Sequence, residues 1–237
     1  MNYMLNNLSL THKNLNKEKR MKKQLLLITA CFVTTITFSS NAHAFGLGAY
    51  GSIGAGEADW EIDSSSSPNT PTFKFDIESQ GFGFVMDTNV AKNNVFNYRL
   101  QIGYEQVEQT NQKDSKEVLN LKGVVIDNDF GFGIIRTAPF RLWLGPELRL
   151  AYLSGSPSYD NVEYNDFDIE LFGIGLGPVI GANINLGSVV TIGIKTGYLF
   201  SKFFGSGEDK LYNYSEDYEI DDQQYFVNMS ILFRIGE

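Results

Sequence analysis

Phe96-Asn97-Tyr98-Arg99-Leu100-Gln101-Ile102-Gly103-Tyr104-Glu105 is the stretch whose reading decides the fold. Phe96, Tyr98, Leu100, Ile102 and Tyr104 alternate with Asn97, Arg99, Gln101, Gly103 and Glu105. Side chains of a β-strand point to opposite faces with period two, so one face of this segment is apolar and aromatic and the other is polar. A soluble sandwich buries the apolar face. A barrel in lipid does the opposite, with apolar side chains outward and polar ones inward.

The same alternation recurs along the chain. Strands are expected over about 45–56, 72–87, 95–109, 117–136, 140–153, 169–186, 188–203 and 223–236. In the fifth, Phe140, Leu142, Leu144, Leu148, Leu150 and Tyr152 face away from Arg141, Trp143, Gly145, Glu147 and Arg149. The second changes parity, with Phe73, Phe75 and Ile77 on one face and Phe82, Phe84 and Met86 on the other, which predicts a bulge near Gly81. Pro146 and Pro178 fall inside the fifth and sixth strands and predict a bulge or a locally broken ladder, because proline has no N–H to donate.

Connections alternate in length on this reading. Asp87 to Asn94, Thr137-Ala138-Pro139 and Gly187 are short, whereas those after the odd strands are longer and acidic, Gly205 to Asp222 being the longest. Short turns at one end and long loops at the other fit periplasmic turns and extracellular loops.

The first 44 residues point to export. Met21, Lys22 and Lys23 precede an apolar run from Leu25 to Phe38, and Ala42 and Ala44 form a small-residue cleavage site. A signal peptide over 1–44, cut after Ala44, is expected, with 45–237 as one domain. Residues 1–20 fit no signal-peptide n-region, which makes Met21 the expected start. Cys31 is the single cysteine, and Ile28-Thr29-Ala30-Cys31 resembles a lipoprotein box, the minor alternative being a lipid anchor there.

The full chain has 19 basic and 28 acidic residues. Six of the basic residues and one acid, Glu18, precede Phe45, so residues 45–237 hold 13 basic and 27 acidic groups, a net charge of −14. No nucleic-acid partner is expected of such a surface, since nucleic acid requires a basic footprint.

The chain resembles the small eight-stranded outer-membrane β-barrel proteins of the OmpA/OmpX and opacity type. The resemblance spans the region after Ala44 and rests on the leader, the eight alternating strands, the loop pattern and the ending Tyr225-Phe226-Val227-Asn228-Met229-Ser230-Ile231-Leu232-Phe233-Arg234. Such proteins usually finish on an aromatic residue, whereas here Ile235-Gly236-Glu237 follows Phe233. The resemblance implies an all-β fold: an eight-stranded antiparallel up-and-down transmembrane β-barrel after a cleavable signal peptide. It also implies a Gram-negative outer-membrane location and contact with outer-membrane lipid and lipopolysaccharide. A closed barrel has no edge strand, so a monomer is expected.

Both histidines, His12 and His43, lie in the leader. A chain without histidine or cysteine cannot run Ser-His or Cys-His chemistry, so no enzyme activity, catalytic residue, metal site or cofactor is expected. Nine charges fall on the polar parity: Arg99, Glu105, Asp127, Asp129, Arg141, Glu147, Arg149, Lys195 and Arg234. The interior of an eight-stranded barrel is just wide enough for side chains to fill, and unpaired buried charge is costly. These residues are therefore expected to form a plug of ion pairs, with Arg149 near Asp127 or Asp129. Acidic loops (Glu57 to Asp63, Asp160 to Glu170, and Glu208 to Asp222 with Tyr212, Tyr214 and Tyr218) are candidates for divalent cations or for host and surface ligands. Tyr50, Tyr104, Tyr152, Tyr198, Phe203, Phe204 and Tyr225 are expected in interfacial girdles.

A structural or adhesin-like role is thus the leading functional reading. The alternatives are a small-solute, porin-like channel, a soluble periplasmic lipocalin-like binding barrel, and a carboxylate-dependent lipid-modifying enzyme. In the soluble barrel the aliphatic face would line a cavity while Arg99, Glu147 and Lys195 faced water.

Overall fold

The computed structural model describes residues 45–63, 72–90, 94–160, 162–163, 167–209 and 214–235. The leader, the Ser64–Ser67 apex and Tyr212 lie outside the described residues. Eight long strands follow one another: β1 (Phe45–Asp63), β2 (Thr72–Asp87), β3 (Phe96–Asn111), β4 (Glu117–Arg136), β5 (Phe140–Tyr159), β6 (Phe167–Leu186), β7 (Val190–Asp209) and β8 (Tyr214–Ile235). A two-residue segment, Val162–Glu163, adds to the far end of β5. Each strand pairs antiparallel with its neighbours in sequence. The ring closes where β1 pairs with β8, from Phe45↔Ile235 to Asp63↔Asp217. This is an all-β, up-and-down antiparallel barrel.

Strands of 16 to 22 residues are far longer than the ~9–11 needed to cross a bilayer. The excess explains the face pattern. In β8 the outward residues Tyr225, Val227, Met229, Ile231, Phe233 and Ile235 are all exposed and apolar. Farther along the same face come Gln223, Asp221, Glu219 and Asp217. The inward face switches in the opposite sense, from Asn228 and Ser230 to Ile220 and Tyr218. The barrel therefore has two zones. Around the end carrying Phe45 and Ile235, apolar side chains form an outer belt over a lumen that holds the buried charges and two small apolar clusters. Beyond the belt, the outer wall is polar and the interior is an apolar core.

That core includes Trp60, Ile77, Leu121, Leu153, Leu171 and Ile220. The Trp60 ring meets Phe75 at 5.6 Å and Tyr218 edge-on at 5.4 Å, each such pair adding about 0.5–1.5 kcal/mol beyond burial. The Trp60 indole N–H donates to Gln109 Oε1 at 2.7 Å, which satisfies its one polar atom.

Several expectations are corrected here. β2 runs past Gly81 with unbroken register against both β1 and β3, so no bulge lies there. The parity change marks the upper edge of the belt, where lipid-type outside and water-type outside exchange. The expected long acidic loops are largely strand: Glu57 to Asp63 completes β1, and Tyr214 to Asp222 belongs to β8. Only residues 210–213 separate β7 from β8, and 112–116 separate β3 from β4. Tyr218 is buried inward and is no part of an outer surface. Tyr50 and Phe203 also point inward and leave the girdle, whereas Tyr152, Phe204 and Tyr225 stay exposed.

The two prolines pair with each other across β5 and β6, Pro146↔Pro178. On their other sides the ladders lapse at Phe130–Gly131 and at Gly177–Pro178, with the same register resuming beyond. A register shift occurs instead between Gly133 and Ile135, beside the tight Thr137 turn.

Candidate functional site

The lumen gathers the buried charge. Eight of the nine residues expected inside are there and buried: Arg99, Glu105, Asp127, Asp129, Arg141, Glu147, Arg149 and Lys195. Arg234 is at the rim, half exposed, and donates to the Gly187 carbonyl. Register places them. Asp127 stands directly opposite Arg149 and Asp129 opposite Glu147 in the β4–β5 ladder, while Arg99 is opposite Asp129 on β3.

Two cations organise the middle of the lumen. Arg149 donates from Nε to Asp127 Oδ1 at 2.8 Å and from Nη1 to both Glu105 oxygens at 3.2 Å. Lys195 reaches in from β7, which is separated from β5 by β6. Its Nζ lies 2.7 Å from Glu147 Oε2, 3.1 Å from both Asp129 oxygens and 2.6 Å from Gln101 Oε1. Asp129 thus belongs to Lys195 rather than to Arg149. The Phe226 ring lies against both cations, 5.2 Å from the Lys195 ammonium and 5.9 Å from the Arg149 guanidinium.

Nearer the Phe45 end, Arg99 donates from Nε and Nη2 to Asp87 Oδ2 at 3.1 and 3.0 Å, and from Nη2 to Asn183 Oδ1 at 2.8 Å. Its guanidinium lies 5.4 Å from the centre of the fully buried Trp143 ring. Arg141 ties down the β2–β3 connection, donating to the carbonyls of Asn94 and Val95 and to Asn97 Oδ1. In the same connection Val90 is fully buried, packed toward Gly46 and Leu232. A Cβ on Gly193 would come within 3.1 Å of Arg99 Nη2, and one on Gly181 would overlap Trp143, so these glycines make the room the large side chains occupy.

At the other end of the charge cluster, a small cavity lies between it and the apolar core. It measures about 10 Å³ and is lined by Glu105, Arg149, Ser201, Asp222 and Gln224 among others. Sequence reasoning missed Asp222, which the Asp221-Asp222 pair hid in a supposed loop, and missed Asp87, which it took as the junction of the second strand and the connection after it. The signal for Asp222 was present: Tyr218, Ile220, Asp222, Gln224 and Phe226 keep the inward parity of β8 without interruption.

Chemically, each mid-lumen cation is committed to carboxylates of the same cluster. Among the described residues, no group of three or more His, Cys, Asp or Glu is placed to hold a metal ion.

The outer membrane protein OprG from Pseudomonas aeruginosa is similar in structure, with a TM-score of 0.58 at 12% sequence identity, covering 83% of this chain and 97% of that one. The fold is that of a small outer-membrane β-barrel. The outer membrane protease OmpT from Escherichia coli aligns at 6% identity and a TM-score of 0.44, covering 82% of this chain and 98% of that one. Neisserial surface protein A aligns at 15% identity and a TM-score of 0.32, covering 75% and 95%. No protein-family model and no curated protein sequence matches the chain. In this outer-membrane-type barrel Arg99, Glu147 and Lys195 are enclosed, the reverse of what a lipocalin-like soluble barrel requires.

Proposed function

We propose that this chain is an outer-membrane protein with a structural or surface-interaction role, closed to solutes and without enzymatic activity. One observation supports the reading: large side chains are buried inside the barrel at three successive levels. Val90, Trp143 and Arg141 occupy the first, the Arg149 and Lys195 ion pairs the second, and the Trp60–Ile220 core the third. A hydrated path would have to displace all three. The exposed belt of Leu176, Met229, Ile231 and Phe233 supports placement in lipid, since a water-facing barrel would expose no such contiguous apolar band. The pairing of β1 with β8 leaves no open edge and supports a monomer.

What the protein presents outward is a polar collar standing clear of the belt. Its carboxylates, among them Glu57, Asp59, Glu219 and Asp221, make divalent cations and cationic host or surface ligands the partners to test. Purified protein in planar bilayers is the deciding measurement: no resolved single-channel current is expected, and steady unitary currents would favour the channel instead. The membrane placement is checked separately by fractionation and by faster gel migration of the unheated barrel. Lipid A compared between cells with and without the gene should be unchanged.

A further inference from the structure

The outer wall carries a feature that a closed lumen does not require. Three cross-strand rows are stacked over β2, β3 and β4 where the belt ends. Phe82, Tyr104 and Val124 form the lowest, Gln80, Gln106 and Lys122 the next, and Glu78, Glu108 and Asn120 the highest. The upper two rows, with Ile53 and Ala55 of β1, line an open groove of about 630 Å³, within the range of about 300–1,000 Å³ typical of small-molecule sites.

The groove has a distinct hydrogen-bonding character. Gln80 Nε2 donates to Gln106 Oε1 at 3.0 Å. That bond orients both amides and leaves the Gln80 carbonyl and the Gln106 amino group side by side, an acceptor next to a donor. Asn120 adds another of each, Glu78 and Glu108 only accept, and Lys122 only donates. Glu78 and Glu108 stand directly opposite each other, and among the described residues neither makes an ion pair. Mixed donors and acceptors match hydroxyl groups, which do both. A phosphate only accepts and calls for cations, whereas this wall sets one ammonium against two carboxylates. Below lies an aromatic and aliphatic surface, with the Phe82 and Tyr104 rings 6.1 Å apart and continuous with the belt.

We infer that this groove seats the neutral glycan head of a membrane glycolipid, whose acyl chains run down over Phe82, Tyr104 and Val124. The inference rests on the belt lying in lipid. The test is nuclear magnetic resonance on the full barrel in phosphocholine micelles, titrated with dodecyl maltoside and, separately, with dodecyl phosphate. The backbone amide of Tyr104 and the side-chain amide of Asn120 should shift saturably with the maltoside and not with the phosphate. In the Gln80→Ala/Gln106→Ala variant the maltoside midpoint should weaken about tenfold or more. Equal response to the phosphate, an unchanged midpoint in the variant, or shifts that follow protein concentration, as a second copy in the groove would give, overturns the proposal. Gel mobility of unheated samples keeps the two readings apart. A barrel that migrates as folded but shows no saturable shift removes the glycan site alone, whereas loss of that mobility in the native protein removes the membrane barrel itself.

Discussion

Arg149 and Asp127 are direct cross-strand partners in the β4–β5 ladder, and the guanidinium Nε lies 2.8 Å from the carboxylate. Both are buried. The geometry is bidentate, with a second bond from Nη2 to Oδ2 at 3.3 Å, and Nη1 is taken by Glu105. Breaking one side of such a buried pair leaves uncompensated charge, whereas removing the whole set does not. Arg149→Met should therefore cost about 3–5 kcal/mol. Adding Asp127→Asn and Glu105→Gln to it should restore much of that loss. Urea unfolding of the micelle-bound barrel, followed by tryptophan emission, measures both. A triple variant no more stable than Arg149→Met would contradict the pairing.

The exchange of inside and outside along one strand can be tested on β5. Leu153 is buried in the upper core, Ser154 beside it faces outward above the belt, and Leu144 is 47% exposed within the belt. Leu153→Ala should cost about 2–5 kcal/mol, as for other buried leucines. Ser154→Ala should stay within about 0.5 kcal/mol. Leu144→Arg should oppose insertion by about 2–4 kcal/mol if it lies near the bilayer midplane. Refolding into lipid vesicles and unfolding in urea separate the insertion defect from the core defect. A silent Leu144→Arg would mean the belt does not meet lipid.

Trp143 fills the lumen because Gly181 lets it. A Cβ at Gly181 would fall on the indole ring of Trp143. Gly181→Ala should therefore destabilise by about 1–3 kcal/mol, the usual cost of overpacking. Trp143→Leu should relieve that clash, so that the double variant is more stable than the sum of the two single effects predicts. Strict additivity in a double-mutant cycle would show that the two positions do not meet.

Within the belt alternation gave the strands and most of their faces, although not the register shift between Gly133 and Ile135 or the burial of Leu150. β2 and β4 match their expected bounds, and the polar parity singled out Arg99, Asp129, Arg149 and Lys195 for the lumen. There the outward positions are apolar and the inward ones largely polar, so alternation alone gives strand and face. Above the belt the same rule misleads. Phe75 and Ile77 are apolar because they face inward, whereas Phe84 is apolar because it faces outward. The chain keeps its register and the surroundings change. Segments such as Glu57-Ala58-Asp59-Trp60-Glu61 looked like loops because acids dominate them, although acid and apolar residues alternate there with the period of a strand. Partners across the lumen were not legible at all. Lys195 of β7 meets Glu147 of β5, 48 positions away, past the intervening β6, and Asp129 of β4, contacts that alternation along a single strand does not pair.

The collar carries like charges in register. Asp59 is opposite Asp221, Glu61 opposite Glu219, and Glu57 opposite Asp76. Lys74 lies 3.1 Å from Asp59, and Lys202 lies against Glu219 and Asp221, so two lysines answer six carboxylates. Like charges directly opposite each other destabilise a sheet, and salt screens them. Raising ionic strength from about 0.01 M to about 0.15 M shortens the screening length from about 30 Å to about 8 Å. The unfolding temperature should rise with it. Glu57→Gln removes one member of an opposed pair that, among the described residues, no ion pair bridges, so it should raise the unfolding temperature at low salt and have little effect at high salt. Circular dichroism melts of both proteins across a sodium chloride series measure this. A melting temperature that falls as salt is added would mean that the lysine pairs outweigh the repulsion.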